Sequence, residues 1–203
     1  MPGSRISCSC WRDPTRRPRA DLRRWWNVEF ARSFAGETPR SSRHMGNVDI
    51  RLAGEADVDS VARLVLELFE ELASPRDAGY RLAAVTRTVR QLLQGTDPVW
   101  AFLAEADGHG IGVLTLNQCA SIYAGGRFGE ISEFYVRAPF RALGVGNRLL
   151  EAAVQFARQR GWCRLEVGAP EMPRWERTVN FYRHAGFSEV GPRLKLEVRP
   201  CPS

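Results

Sequence analysis

Apolar residues recur along the chain with two different spacings, and each spacing predicts one kind of element. Between residues 57 and 73 they return every three or four positions, which predicts an amphipathic helix with one buried stripe. The same spacing at 82–93, followed by Gly95, predicts a second helix. Apolar and charged residues alternate at 48–52, which predicts a half-buried strand ahead of both helices.

The rest of the chain predicts a sheet whose later strands are separated by helices. Turn residues at 107–110 and 124–128 separate three successive strands, so these strands are expected to pair antiparallel. The predicted strands after the second helix are 98–106, 111–120, 129–138, 163–167 and 193–198, with helices from 145 onward and at 174–186. The strand, helix and strand from 129 to 167 imply a right-handed parallel crossover. The predicted fold class is therefore α/β, of the α+β kind: a mixed, mostly antiparallel central sheet with one parallel strand pair, flanked by about four helices.

The net charge of +6 is concentrated at one end of the chain. Residues 1–44 hold ten arginines against four acidic residues, whereas 45–203 hold nineteen basic and nineteen acidic residues. We therefore expect 1–44 to be a basic, disordered N-terminal extension and 45–203 to be the folded domain. Two alternatives stay open: Met45 is the natural start of the protein, or the extension is a transit peptide. Nucleic acid is disfavoured as a partner because the folded domain is neutral.

Cysteine and histidine usage excludes several classes of site. The chain has five cysteines and three histidines, with no C-x-x-C and no histidine at ligand spacing from a cysteine, which predicts neither a metal site nor a disulfide framework. A reducing cytoplasm is the expected location. The scattered histidines disfavour a Ser-His-Asp triad. No apolar run approaches membrane-spanning length, so a soluble protein with no membrane partner is expected.

Arg141, Gly144 and Gly146 stand at the start of the helix predicted from residue 145, and this placement carries the main functional signal. The first N–H groups of a helix have no internal partner and lie at the positive end of its dipole, so they bind phosphate. Glycines let an anion approach the backbone, and an arginine adds a cation able to bond a diphosphate at two points. These residues predict either a diphosphate site or a tight strand-to-helix turn with a solvated arginine.

Three features in chain order resemble the GNAT superfamily of N-acetyltransferases: the strand sequence EFYV, the loop RALGVG and the segment NFYRHAGF. The resemblance covers about residues 48–198. It implies the acyl-CoA N-acyltransferase fold, an acetyltransferase domain at 45–203, and acetyl-CoA as co-substrate without a metal. It also implies that the backbone of Tyr135 and Val136 bonds the pantetheine amides. The residues that it places around the diphosphate are Arg141, Ala142, Leu143, Gly144, Val145, Gly146 and Asn147.

The reaction that the resemblance implies needs a base and an acid. An alkylamine with a pKa near ~10.4 must lose a proton before it attacks, and a carboxylate on the strand facing the thioester is the natural base. Glu130 is the first candidate and Glu133 the second; each could instead be an ordinary exposed strand carboxylate. Tyr182 matches the family tyrosine that acts as general acid toward the departing thiolate. Its alternative role is packing against the sheet.

Two positions depart from the family pattern. Trp175 and Thr178 stand where many relatives carry an Asn and an Ala, so the usual asparagine contact with the cofactor is in doubt. Asn180 is the candidate to replace it; its alternative is a solvent-facing position on the helix. Cys163, in the predicted strand 163–167, is expected to be a small buried hydrophobe rather than a nucleophile. Direct attack in a ternary complex is therefore expected.

The acceptor region is the least defined part of the prediction. The resemblance places it at 70–80 and 121–128. Six residues there could attract and pack a cationic amine: Glu70, Glu71, Asp77, Tyr80, Tyr123 and Phe128. The predicted function is acetyl transfer from acetyl-CoA to a primary amine of an unidentified small molecule. The alternatives are a non-catalytic acyl-CoA-binding regulatory module and, less favoured, a nucleic-acid-associated protein acting through its basic tail. A homodimer is also open, since family relatives are often dimers.

Overall fold

The computed structural model describes residues 48–72, 80–168 and 172–191. Its strands are β1 (Asp49–Leu52), β2 (Val99–Ala106), β3 (His109–Ser121), β4 (Gly126–Val136) and β5 (Leu165–Val167). Its helices are α1 (Val58–Leu72), α2 (Leu82–Gln94), α3 (Val145–Gln159) and α4 (Glu176–His184), with 3-10 turns at Glu55–Asp57 and Ala138–Phe140. The last predicted strand, at 193–198, lies outside the described residues.

The strands form one sheet in the order β1-β2-β3-β4-β5, and neighbours are antiparallel except for β4 and β5. In the parallel pair, Gly129 lies opposite Leu165 and Ile131 lies opposite Val167. Helix α3 connects these two strands, as the predicted crossover requires. The fold class predicted from the sequence is thus confirmed, with a mixed sheet, one parallel pair and four helices in the described residues.

Turn chemistry shifts two of the predicted strand boundaries. Asp107 and Gly108 have φ angles of 52° and 75°, so they alone make the first hairpin turn, and β3 begins two residues earlier than predicted. The second turn lies at 122–125 rather than at 124–128, because β3 and β4 stay paired as far as Ser121 and Gly126. Both hairpins are therefore tighter than the sequence suggested.

Alternate residues of the central strands supply two apolar cores on opposite faces of the sheet. Leu103 and Val113 pack with α1 and α2 on one face, called here the α1/α2 face. Phe102 and Leu114 pack with α3 on the other, called the α3 face. Helix α4 joins the α3 face through Phe181. A residue's position along a strand thus fixes which helices it meets.

Strand β4 is irregular along both of its edges. Toward β3, the register moves from Leu114 opposite Phe134 to Leu116 opposite Ile131, so β4 carries one extra residue as a β-bulge. Toward β5, pairing ends at Ile131, and residues 132–136 have no strand beside them among the described residues. We call this part of β4 the open edge.

Candidate active site

The direction of the backbone groups on the open edge follows from the hydrogen bonds on the other side of β4. The Arg137 N–H donates to the Ile111 carbonyl at 2.9 Å. Because backbone groups alternate in direction along an antiparallel strand, those of Val136 and Phe134 point onto the open edge, while those of Tyr135 face β3. The resemblance named Tyr135 and Val136 as pantetheine contacts. The strand offers Val136 and Phe134, and Tyr135 is turned away.

The loop that joins β4 to α3 has a strained backbone. Ala142 and Gly144 both adopt left-handed conformations, with φ of 62° and 80°, and α3 begins directly after them. Glycine takes this conformation freely, whereas Ala142 is strained by about 1–2 kcal/mol. A Cβ on Gly146 would lie 3.6 Å from the Phe181 ring and 3.7 Å from the Phe134 ring, so α3 meets α4 and β4 here. The first turn of α3 holds no acidic residue, which leaves the positive end of its dipole unopposed.

The Arg141 side chain folds back over β4. Its Nε donates to the Val136 carbonyl at 2.7 Å, and its Nη2 lies 2.5 Å from Oε2 of Glu71 near the end of α1. The guanidinium carbon lies 5.5 Å from the centre of the Tyr135 ring. The hydrogen bond to Glu71 raises the pKa of Arg141. The arginine predicted to bind diphosphate is therefore held by a carboxylate and by a carbonyl of the open edge.

The other residues predicted to contact the cofactor lie on or near this loop. Leu143 is 46% exposed, Val145 is buried, and Asn147 is half-buried in the first turn of α3. Asn180 is half-buried on α4, and its carbonyl lies 2.6 Å from Nδ1 of His184. Its neighbour Phe181 packs against Gly146, so Asn180 lies on the helix that meets the start of α3.

Tyr182 is buried on α4 among aromatic rings. Its ring centre lies 5.5 Å from those of Phe181 and Phe187 and 6.2 Å from that of Phe134 on the open edge. Burial raises the pKa of Tyr182 above the ordinary range of a tyrosine. The hydroxyl therefore keeps its proton at neutral pH, as a hydrogen-bond donor to a leaving group must.

Glu133 and Glu130 lie on the α1/α2 face of β4. Oγ1 of Thr115 donates to Oε2 of Glu133, and the Glu133 N–H donates back to Oγ1 of Thr115 at 3.0 Å. Burial raises the pKa of Glu133; the Thr115 hydrogen bond opposes this shift and the negative charge of Glu130 adds to it, so the net change is upward. Oε2 of Glu130 lies 3.4 Å from Sγ of Cys119. The structure thus brings both predicted base candidates together.

A third carboxylate, Glu166 on β5, was missed by the sequence analysis. It lies opposite Glu130 in the parallel pair and is only 9% exposed. The Tyr123 hydroxyl donates to its Oε1 at 3.0 Å, and Nη2 of Arg164 forms an ion pair with the same oxygen. The alternation along β5 predicts that Glu166 lies on the opposite face of the sheet from Leu165 and Val167. No pattern in the sequence shows which of the two faces carries the site. Glu130, Glu133 and Glu166 are called the carboxylate cluster.

Several predictions about single side chains were wrong or fall elsewhere. Phe128, predicted on the acceptor rim, is buried because it lies within β4 rather than in the turn. Cys163, predicted to be buried, is exposed because β5 begins only at Leu165. Tyr80 is exposed, as a rim residue would be. Asp77 lies outside the described residues.

The candidate residues approach the open edge from both faces of the sheet. Tyr182 and the start of α3 belong to the α3 face, and the carboxylate cluster belongs to the α1/α2 face. Between them, β4 continues beyond its last pair with β5. A ligand lying along the open edge would therefore run between Tyr182 on one side and Glu133 on the other, with Glu130 and Glu166 beyond the end of the edge.

The raised pKa of Glu133 has a consequence for stability. A carboxyl whose pKa is higher in the folded state favours folding below its unfolded pKa, and this contribution is lost as the pH rises through the folded value. We therefore expect Glu133→Gln to raise the Tm at pH 7–8 by roughly 2–4 °C and to lose this advantage below about pH 4. Thermal unfolding across pH measures this. Glu70→Gln, at an exposed position of α1, controls for removal of a negative charge; an equal pH-dependent gain there would contradict the expectation.

A sheet opened along its fourth strand, beside a helix start suited to phosphate, is the arrangement expected of a transferase that binds an acyl-CoA. Residues 61–187 match the model of the acetyltransferase (GNAT) family, so the chain belongs to that family. Membership implies acetyl transfer from acetyl-CoA.

Individual relatives agree with this assignment. The chain is 29% identical over 114 residues to an uncharacterized N-acetyltransferase of Archaeoglobus fulgidus, covering 56% of this chain and 76% of that one. It resembles an integron cassette protein, HFX_CASS3, from the mobile metagenome of Cole Harbour Salt Marsh, with a TM-score of 0.63, 25% identity, and coverage of 75% and 91% of the two chains. The aminoglycoside N-acetyltransferase AAC(6')-Iy in complex with CoA has the same fold, with a TM-score of 0.61, 20% identity, and coverage of 81% and 100%.

The described residues form neither a metal-binding group nor a helix able to span a membrane. No group of three or more His, Cys, Asp or Glu side chains in residues 48–72, 80–168 and 172–191 could hold a metal ion. None of the helices in these ranges is long and apolar enough to cross a membrane.

Proposed function

We propose that this protein transfers the acetyl group of acetyl-CoA to a primary amine of a small cationic acceptor, by direct attack in a ternary complex. The observation that carries the proposal is the open edge of β4, with the start of α3 near one end and candidate catalytic groups on both faces. Unpaired backbone groups on a strand edge are suited to pairing with an extended ligand.

The described residues fit acetyl-CoA, which supplies an activated acetyl thioester when bound. We expect the backbone N–H groups at the start of α3, in Val145, Gly146 and Asn147, to hold the diphosphate, since no acidic residue opposes an anion in that turn. We expect Phe134 and Val136 to bond the amides of the pantetheine arm through the open edge.

Glu133 is the base that the geometry favours. A general base works best with a pKa near the operating pH, and burial moves the pKa of Glu133 in that direction. Glu130, which the sequence analysis placed first, adds to that shift through its charge. Its negative charge also attracts an ammonium group, whereas Glu166 across the strand pair is already paired with Arg164. We therefore assign proton removal to Glu133 and acceptor attraction to Glu130.

Tyr182 is assigned to the departing thiolate. A free thiol has a pKa of about 8.5 and an ordinary tyrosine one of about 10, and burial raises the pKa of Tyr182 further. Complete proton transfer from the hydroxyl to the sulfur is therefore uphill. We expect Tyr182 to stabilise the thiolate by donating a hydrogen bond, while the proton that the attacking nitrogen loses on forming the amide balances the thiolate and is the one that finally gives the thiol.

A cationic acceptor follows from the charge of the cluster. The negative charge of Glu130, beside Glu133 on the same face, favours an ammonium group over a neutral or anionic acceptor, whereas the charge of Glu166 is offset by Arg164. Aminoglycosides, named as the acceptor class of the neighbour AAC(6')-Iy, carry several amines of this kind. Polyamines share this chemistry.

The test is CoA release from acetyl-CoA by the full chain, measured against aminoglycosides, polyamines, amino acid amides and neutral alcohols of similar size. Turnover with a cationic amine, absent with the matched alcohol, supports the proposal. Binding of acetyl-CoA without turnover on any amine would favour the regulatory module instead.

A further inference from the structure

Two arginines near the end of β4 are paired with two glutamates of α1. Arg137 makes a two-point ion pair with Glu67, at 2.9 and 2.6 Å, and its Nη1 also donates to the Gly110 carbonyl at 2.8 Å. Arg141, one residue past the 3-10 turn, makes a single contact with Glu71, at 2.5 Å. The two arginines are four residues apart in the chain, and the two glutamates are four residues apart on α1. The two pairs differ in the backbone carbonyl to which each arginine also donates.

The second bond of Arg141 goes to a group that the proposed ligand needs. Its Nε donates to the Val136 carbonyl, which belongs to the open edge. Arg137 instead bonds Gly110, on the β3 side of the sheet, where no ligand is expected. Of these two arginines, only Arg141 occupies the edge.

Binding along the open edge and the contacts of Arg141 therefore compete. A pantetheine arm paired with Val136 must share the carbonyl oxygen with Nε of Arg141 or displace it, and a diphosphate at the start of α3 draws the guanidinium toward its own oxygens. Glu71 opposes both changes, because it holds Nη2 in a charge-assisted hydrogen bond.

We propose that Glu71 and Arg141 form a latch across the open edge, that CoA binding must break their ion pair, and that Glu71 thereby sets the affinity for CoA. This inference rests on the proposed function, since it takes the open edge and the start of α3 as the CoA site. In it, Glu71 is a positioning residue that acts through Arg141.

The test is a calorimetric titration of CoA into the full chain and three variants. Glu71→Gln removes the charge, and Glu71→Asp keeps the charge but shortens the side chain by one methylene, so both break the latch. Each is expected to bind CoA about two- to fivefold more tightly than the wild type, the range typical of a partly exposed ion pair. Glu67→Gln is the matched control: it removes the same charge one helical turn earlier and should change the dissociation constant by less than twofold.

The possible failures of the latch and of the proposed function are distinguishable. If the wild type binds CoA but Glu71→Gln binds it equally well or more weakly, the latch is wrong and the site stands. If Glu67→Gln tightens binding as much as Glu71→Gln, a general charge effect replaces the latch. If the wild type does not bind CoA, the proposed function fails and the latch with it. Thermal unfolding of each variant is the control for stability. If the Glu67 and Glu71 variants have the same Tm, a difference in their affinity for CoA does not come from a difference in folding.

Discussion

Glu133→Gln is expected to lower kcat about 10²- to 10⁴-fold, the range found when a general base is removed. The substitution keeps the shape of the side chain and an oxygen that can accept the Thr115 hydrogen bond, so folding should be preserved. In the wild type, kcat/KM should fall as the pH drops through the raised pKa of Glu133, because the protonated carboxyl cannot accept a proton. The variant should lack this acidic limb. Steady-state rates of CoA release between pH 5 and 9 measure both effects.

Glu130→Gln is the control that separates the two carboxylates of β4. It removes a charge near the acceptor and should mainly raise the KM for the amine, with a smaller loss in kcat. If Glu130→Gln costs more kcat than Glu133→Gln and also loses the acidic limb, the assignment is reversed and the order given by the sequence analysis is right.

Tyr182→Phe is expected to lower kcat by about 10- to 100-fold while leaving the dissociation constant of acetyl-CoA nearly unchanged. Loss of one hydrogen bond to a charged group accounts for a change of this size. The phenyl ring keeps the packing against Phe134, Phe181 and Phe187, so the fold should be retained. Single-turnover kinetics with acetyl-CoA and an active amine separate this loss from binding.

A small effect of Tyr182→Phe would mean that the ring is structural. The matched variant combines Phe181→Tyr with Tyr182→Phe. It places a hydroxyl at the neighbouring position while the hydroxyl of residue 182 stays absent. Equal rates for wild type and Tyr182→Phe, with thiolate release fast in both, would remove Tyr182 from the mechanism.

The sequence predicted the elements of this fold well because local patterns determine them. The three- and four-residue spacing of apolar residues located α1 to within a residue at each end. The strand, helix and strand around α3 predicted the parallel pair, since the handedness of the twist leaves few alternatives. The turn at Asp107 was placed approximately, and only its backbone conformation shows that two residues suffice.

Features that depend on contacts between distant residues could not be predicted in the same way. Glu166 became a site candidate only through its parallel register with Glu130, which no local pattern gives. The ion pair of Arg141 with Glu71 joins residues seventy positions apart. The pairing of Tyr135 with Val113 directs its backbone groups toward β3, although the family resemblance suggested them as a ligand contact. In each case contacts between residues distant in the chain, rather than residue type, decided the outcome.

The central claim, that the start of α3 holds the diphosphate of acetyl-CoA, is tested most directly by Asn147→Asp. This near-isosteric change puts a negative charge in the first turn of α3, where the helix dipole favours it but a diphosphate is repelled. Calorimetric titration should show acetyl-CoA binding weakened about tenfold or more, with an unchanged or higher Tm. Gln155→Glu, at an exposed position farther along α3, should leave binding unchanged. Equal affinity in Asn147→Asp and wild type, or no binding by the wild type, would contradict the claim.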